Sequence, residues 1–243
     1  KLKPKSVNNV IIFLKQIFKY AFEQNLILKN PLREVATIFE PETDINYLFT
    51  EEIKLLLNAN RFEPIYPLLV FELNTGFRIG EIAGLCWDCI NFEKRQILVK
   101  RTLSRMTGLQ EYTKTKAIRY FPMNDEVYDL LKFVWKNQKS QSYIFTDQNG
   151  KPICPDHYSS RHFKRALDLA GIKRIRFHDL RHTFASHYMM NGGNIYDLQK
   201  LLGHKDIKTT MKYAHLSPEH LLGAAKVVSF KSDVSPMLYD IND

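Results

Sequence analysis

Three histidines and an arginine lie within ten residues in the segment HDLRHTFASH, which runs from His178 to His187. Side chains of these types bind metals or phosphate groups. On an α-helix that turns by about 100° per residue, His178 and His182 share a face, whereas His187 falls on the opposite side. A single metal site built from all three histidines of this helix is therefore excluded by geometry.

Arg181 follows His178 by three positions, so the two side chains share one face of the same helix. A guanidinium is planar and permanently charged, and it can donate to two phosphate oxygens at once. A lone His–Arg pair on a helix is more often an ion-paired surface feature. The pair alone leaves both interpretations open.

The other patterns that could bind a metal are weak. Cys86 and Cys89 form one CxxC motif, but a structural zinc site needs four ligands and no second motif accompanies this one. The sequence contains neither HExxH nor a carboxylate cluster of the kind that holds Mg²⁺ in a two-metal nuclease. We therefore expect no metal and no other cofactor.

The composition favours a soluble protein with a polyanionic partner. The chain of 243 residues has 35 Lys and Arg against 26 Asp and Glu, a net charge of +9, which points to nucleic acid first. No apolar run approaches the roughly 18 residues of a membrane span. Three cysteines, including Cys154, indicate a reducing compartment, so we expect a cytoplasmic, DNA-associated protein. The chain begins at Lys1 without methionine, as a fragment would.

The elements that position these residues divide into two parts. Apolar residues at helical spacing predict a helix over residues 7–28, ended by the KNP segment. Fading periodicity around Pro41 predicts a linker at 41–46. Thr50 is the expected N-cap of the next helix. We predict domains at 1–40 and 47–226 and an extended tail at 227–243.

The second part is predicted to be mainly helical, with one small sheet. Three strand-like segments, 96–102, 110–115 and 118–123, predict a three-stranded antiparallel meander. Further helices are expected after Pro67, around Arg78–Leu85, and at 124–137, 157–170, 178–191, 195–202 and 217–226. The predicted class is therefore mainly α with a three-stranded antiparallel sheet, α+β.

Four motifs occur in a characteristic order: NTGFRIGEI at 74–82, TKT at 113–115, HDLRHT at 178–183 and LLGHKDIKTTMKYAH at 201–215. Together they resemble the tyrosine recombinase, or phage integrase, family of site-specific DNA recombinases, over roughly Tyr47–Leu222. The resemblance implies the DNA breaking-rejoining catalytic fold. It also implies that residues 1–40 are the C-terminal part of a helical core-type DNA-binding domain.

The resemblance assigns roles to individual residues. It implies six catalytic residues: Arg78, Lys114, His178, Arg181, His204 and Tyr213. Glu81 and His182 are expected to support them. Lys116, two residues later, is a second lysine that could be assigned the role of Lys114.

The implied reaction needs no metal and no ATP. Tyr213 would attack a phosphodiester and form a covalent 3′-phosphotyrosyl bond, which a 5′-hydroxyl can later reseal. His178 is the candidate base and Lys114 the candidate acid for the leaving 5′-oxygen. The implied partner is double-stranded DNA at a specific site, bound by a homotetramer in synapsis and by a monomer when free, with no membrane. The resemblance also implies a bacterial cytoplasm as the compartment. The tail at 227–243 would dock on a neighbouring protomer or fold back on its own domain.

Two alternatives to an integrase of a phage or other mobile element stay open. A type IB topoisomerase uses a similar set of residues to relax supercoils. A non-enzymatic DNA-binding module is suggested by the helix, GG turn and helix around Asn191–Leu202, which resembles a helix-turn-helix. The latter leaves Arg78, Lys114 and Tyr213 without a role.

Overall fold

The computed structural model describes residues 2–40, 45–111, 118–137 and 142–217. The chain divides into two compact units whose boundary falls between residues 44 and 45, inside the segment 41–46. Over the described ranges, no helix has the length and apolar character that crossing a membrane requires.

The first unit consists of one long helix and an extended segment. Helix α1 spans Pro4–Glu23, so it begins and ends earlier than the predicted 7–28. It stops because Asn25 adopts a positive φ of 56°, which does not continue a right-handed helix. The buried Asn8 side chain accepts from the Ile38 amide at 2.7 Å and donates to the Ile38 carbonyl at 2.8 Å. This pair attaches the extended segment to the helix.

The other α-helices of the described residues lie in the second unit. They are α2 (Thr50–Ala59), α3 (Tyr66–Thr75), α4 (Ile79–Ala83), α5 (Asp125–Asn137), α6 (Pro155–His157), α7 (Phe163–Ala170), α8 (His178–Met190), α9 (Ile195–Leu202) and α10 (Lys208–Met211). A wide helical turn over Tyr158–His162 joins α6 to α7. The helical path therefore runs without a break over the range of the helix predicted at 157–170. The expectation for Thr50 is wrong by one residue: Phe49 is the N-cap, and its amide donates to Glu52 at 2.9 Å. The helix expected at 217–226 lies outside the described residues from 218 on.

The strands are short. They are β1 (Ile90–Asn91), β2 (Gln96–Val99), β3 (Thr102–Ser104), β4 (Gly108–Gln110) and β5 (Arg119–Pro122). Three of them form an antiparallel sheet in the order β1-β2-β5, in which Ile97 pairs with Phe121, and β3 and β4 form a separate hairpin.

The predicted class, mainly α with a three-stranded antiparallel sheet, is therefore confirmed. The third strand of the described sheet is β1, which the sequence did not predict. Residues 112–115 of the strand predicted at 110–115 lie outside the described residues. The predicted strand at 96–102 is divided into β2 and β3, and Lys100 and Arg101 between them pair with Asp88 at 3.0 and 2.6 Å.

Helix α3 lies in the middle of the main core and packs against α5 and α8. Phe77, just after α3, makes edge-to-face contacts with Phe71 at 5.4 Å and with Phe121 of β5 at 5.0 Å between ring centroids. A second cluster joins α8 and α9 to the chain after α10; it consists of Ala185, Met189, Leu198, Leu202 and Tyr213. These two clusters hold α8 between α3 and α9.

Candidate active site

Arg181 is buried in the middle of the second unit, with only 1% of its surface exposed. Its Nη1 donates to the carbonyl of Gly76 at 2.7 Å and its Nη2 to the carbonyl of Leu202 at 2.6 Å. These carbonyls lie at the C-terminal ends of α3 and α9. Burial lowers the pKa of Arg181 to about 10, assisted by repulsion from Arg78 and opposed by Glu81. Arg181 therefore stays charged at neutral pH.

Glu81 holds two arginines in place. Its Oε1 accepts from Arg78 Nη1 at 2.9 Å, and its two oxygens accept from Arg119 at 3.1 and 2.8 Å. Burial alone would raise the pKa of this carboxyl, but the Arg119 hydrogen bonds and the charges of Arg119 and Arg78 outweigh it and lower the pKa to about 2. Glu81 is thus ionised, and Arg78, whose side chain is 26% exposed, is oriented from its buried side.

Arg119 is a site residue that the sequence did not reveal. Besides binding Glu81, it donates through Nε to the Leu201 carbonyl at 3.0 Å, and its guanidinium lies over the Phe77 ring at 5.0 Å. One signal was present in the sequence. Arg119 shares a strand face with the buried Phe121, and a charged residue on the core face of a strand needs a buried partner.

We expect Arg119→Met to lower the free energy of unfolding by about 3 kcal/mol, because Glu81 would keep its buried charge with one partner fewer. Chemical denaturation followed by circular dichroism measures this change. Arg165→Met is the matched control, since Arg165 pairs with Glu63 at 3.2 Å while its side chain is 68% exposed; there we expect less than about 1 kcal/mol. Equal losses in the two variants would contradict a buried charge network at Glu81.

The three histidines of α8 separate as helical geometry predicts. The His178 and His182 rings meet edge to face at 5.2 Å, whereas His187 Nε2 contacts the Leu48 carbonyl at 2.8 Å, away from the arginines. Burial, Arg181 and Lys212 lower the pKa of His178 to about 4, and burial with Lys212 lowers that of His182 to about 4. Both rings are therefore neutral at pH 7.

Tyr213 lies against these rings rather than at the surface. Its side chain is 1% exposed, and its hydroxyl is 2.5 Å from His182 Nδ1. Burial raises the pKa of Tyr213, and the Arg181 charge opposes that shift. His204 follows the left-handed Gly203 that ends α9, and its Nδ1 is 2.8 Å from Thr210 Oγ1. Burial, Arg181 and Arg78 lower the pKa of His204 to about 3.

The structure thus brings together most of the expected site. Seven of the eight predicted residues meet around Arg181: Arg78, Glu81, His178, Arg181, His182, His204 and Tyr213. Lys114 lies outside the described residues. Within the described ranges, no three His, Cys, Asp or Glu side chains come together as a metal site requires. The arrangement offers fixed cations, neutral imidazoles and a phenol, a set suited to a phosphate group.

A model of a known protein family matches the part of the chain that contains this site. The model of the phage integrase family matches residues 46–220, a range that contains every residue described above as part of the site. The chain therefore belongs to the phage integrase family of tyrosine recombinases.

Among curated relatives, the integrase of Escherichia phage 186 is 32% identical over 93% of this chain and 61% of its own length. A tyrosine recombinase XerC-like protein of Caldanaerobacter subterraneus is 28% identical over 93% of this chain and 65% of its own. The chain thus spans somewhat less than two thirds of the length of these relatives.

Among solved structures, the Tn1549 transposon integrase in complex with a circular intermediate DNA superposes with a TM-score of 0.79. It is 27% identical, over 93% of this chain and 80% of that one. The catalytic domain of bacteriophage HP1 integrase superposes with a TM-score of 0.56 and is 30% identical, over 75% of this chain and 95% of that one. The expected catalytic fold is confirmed by these similarities.

Proposed function

We propose that the protein is a site-specific DNA recombinase that cuts and rejoins DNA through a covalent 3′-phosphotyrosyl intermediate, without metal or ATP. The observation that carries this proposal is the meeting of two fixed arginines, neutral histidines and a tyrosine hydroxyl around Arg181. Family membership and the DNA-bound Tn1549 integrase support it.

The arginines supply the charge that a metal would otherwise provide. Attack on a phosphodiester concentrates negative charge on the non-bridging oxygens, and preorganised donors lower that barrier most when they need not move. Arg181 is fixed by two carbonyls, and Arg78 is oriented by Glu81. Both guanidiniums are therefore held in place before a phosphate arrives.

The proton balance follows from the contacts of Tyr213. Its oxygen forms the bond to phosphorus, the bond from phosphorus to the 5′-oxygen breaks, and the phenol proton passes to a neutral imidazole. The hydroxyl contacts His182, which is the first acceptor in this arrangement, and His178 lies one ring contact further. Lys114 is the proposed donor of the proton to the 5′-oxygen.

The proposed partner is double-stranded DNA at a specific recombination site in the bacterial cytoplasm, with a homotetramer in synapsis. The net charge of +9 supports a DNA partner. A recombinase must join two DNA sites, whereas a topoisomerase relaxes one molecule. Formation of recombinant joints between two labelled duplexes separates these two activities.

A duplex nicked a few nucleotides beyond the scissile phosphate should trap the protein on DNA. Cleavage then releases a short fragment that carries the 5′-hydroxyl, and once this fragment diffuses away the break cannot be resealed. We expect a covalent band on a denaturing gel with duplexes tiled across the DNA that flanks the gene. Tyr213→Phe should remove this band, since the ring keeps its packing but loses its nucleophilic oxygen.

Binding of the same duplexes in a gel-shift assay should survive in Tyr213→Phe. Tyr196→Phe is the matched control, because the Tyr196 side chain is exposed on α9, and it should keep the covalent band. A covalent band of undiminished strength from Tyr213→Phe would refute the assignment of the nucleophile.

A further inference from the structure

Lys212 lies beside the proposed nucleophile, at a place where a cation affects both Tyr213 and its hydrogen-bond partner. The Nζ atom of Lys212 is 3.5 Å from His182 Nδ1 and 4.9 Å from the centroid of the Tyr213 ring. The same Nδ1 contacts the Tyr213 hydroxyl at 2.5 Å. Lys212, His182 and Tyr213 therefore form one compact cluster.

The position of Lys212 favours one direction for the hydrogen bond between Tyr213 and His182. A lysine ammonium can only donate, so a lone pair is favoured over an N–H on the ring nitrogen that faces it at 3.5 Å. Nδ1 of His182 is then the acceptor, the ring proton is on Nε2, and the Tyr213 hydroxyl donates. The oxygen lone pairs of Tyr213 are left for a phosphorus atom.

The other charges around the cluster do not neutralise Lys212. Arg181 and Arg176 act on it as like charges, and Asp179 is the acid that acts in the opposite sense. Asp179 is already bound by Arg176 at 2.7 Å. Burial, Arg181 and Arg176 lower the pKa of Lys212, as expected for a cation whose positive neighbours outweigh its single acid.

We propose that Lys212 is a positioning residue for the nucleophile: its ammonium keeps His182 a neutral acceptor for the Tyr213 hydroxyl and stabilises the negative charge that develops on the phenol oxygen. This role rests on the proposed function. The ammonium forms no bond to the substrate and gives up no proton. The phenol proton moves to His182 as the bond from Tyr213 to phosphorus forms. The ammonium repels the resulting imidazolium, so the proposed gain comes from the direction that it gives the hydroxyl and from the charge that it stabilises on the phenol oxygen.

The ionisation of Tyr213 can be measured without DNA. A fluorinated tyrosine that is more acidic than tyrosine is incorporated at position 213, and its ¹⁹F chemical shift is followed against pH. A unit charge about 5 Å away, partly screened by solvent, favours the phenolate by on the order of one pH unit. We therefore expect Lys212→Met to raise the titration midpoint by about one unit, and Lys212→Arg to leave it close to the unsubstituted value.

Lys208→Met is the matched control, because Lys208 is an exposed lysine at the start of α10, four residues before Lys212. It should leave the midpoint unchanged. An unchanged midpoint in Lys212→Met, or an equal shift in Lys208→Met, would overturn the proposal. If Lys212 had a purely structural role, Lys212→Met would lower stability without raising the titration midpoint of residue 213. Lys212→Arg would then have no midpoint shift to restore.

Covalent trapping at saturating DNA tests the same role in the reaction. Lys212→Met should slow adduct formation about tenfold at neutral pH, the change that one pH unit represents, while Lys208→Met keeps the rate. Weaker DNA binding in Lys212→Met with an unchanged rate at saturation would overturn the positioning role, because Lys212 would then be a DNA contact. If the unsubstituted protein forms no adduct, the proposed function fails, whereas the ¹⁹F shift still decides whether Lys212 acts on Tyr213.

Discussion

Arg181→Lys should slow covalent adduct formation by about 10²- to 10³-fold, the loss that follows removal of a preorganised donor to a developing oxyanion. Lysine keeps the charge, but its compact ammonium cannot donate to two carbonyls and still present a planar fork to phosphate. Arg181 makes both carbonyl contacts, to Gly76 and Leu202. Single-turnover trapping at saturating DNA measures the rate.

A loss of stability must be separated from this loss of rate. A buried carbonyl that loses its donor costs about 1–3 kcal/mol, so trapping is run at a temperature where denaturation curves show the variant to be folded. Arg165→Lys, at an exposed pair, is the matched control and should change neither quantity. A rate within threefold of the unsubstituted protein in Arg181→Lys would show that Arg181 does not act on the phosphate through its fork.

Gly76→Ala should lower the free energy of unfolding by about 3 kcal/mol, which combines the strain of a left-handed residue with overpacking. Gly76 has φ of 61°, and a Cβ atom there would lie 2.6 Å from Cδ1 of Phe184. The ring of Phe184 packs against Phe121, so relief of the contact requires a shift of this ring or of the backbone at residue 76. Denaturation curves measure the loss.

Gly171→Ala isolates the conformational part of this effect. Gly171 ends α7 as Gly76 ends α3, with φ of 63°, but a Cβ atom there meets no other atom within 4 Å. We expect a loss of about 1 kcal/mol. If both alanine variants lose the same free energy, the contact between residue 76 and Phe184 is not as close as described.

The sequence revealed the site's chemical groups better than their arrangement. Helical periodicity alone predicted that His187 points away from His178, because one element carries both residues. The contact between His182 and Tyr213 joins residues 31 positions apart, and that between Arg119 and Glu81 joins residues 38 apart. Such contacts depend on how α8, β5 and the chain after α10 pack, and no spacing along the chain encodes them.

The small sheet shows the same limit. Residues 96–99 and 119–122 were expected to be strands and are strands, because their apolar and β-branched residues suit a half-buried pleated surface. Their partner β1 has two residues, too few for an alternating pattern to be recognised. After Val99 the chain leaves the strand, and Lys100 and Arg101 pair with Asp88, which is more than ten residues away in the chain.

The anchoring of Arg181 also has a mechanical meaning. One of its two carbonyl contacts is Leu202, the last residue of α9, and the chain continues from there through His204 to Tyr213. If the segment with Tyr213 moves toward a bound phosphate and draws the end of α9 with it, Arg181 loses its contact with the Leu202 carbonyl. Phosphate affinity and nucleophile position are then thermodynamically linked, and by reciprocity each biases the other equally. Arg181 would then couple the binding of the phosphate to the position of the Tyr213 hydroxyl.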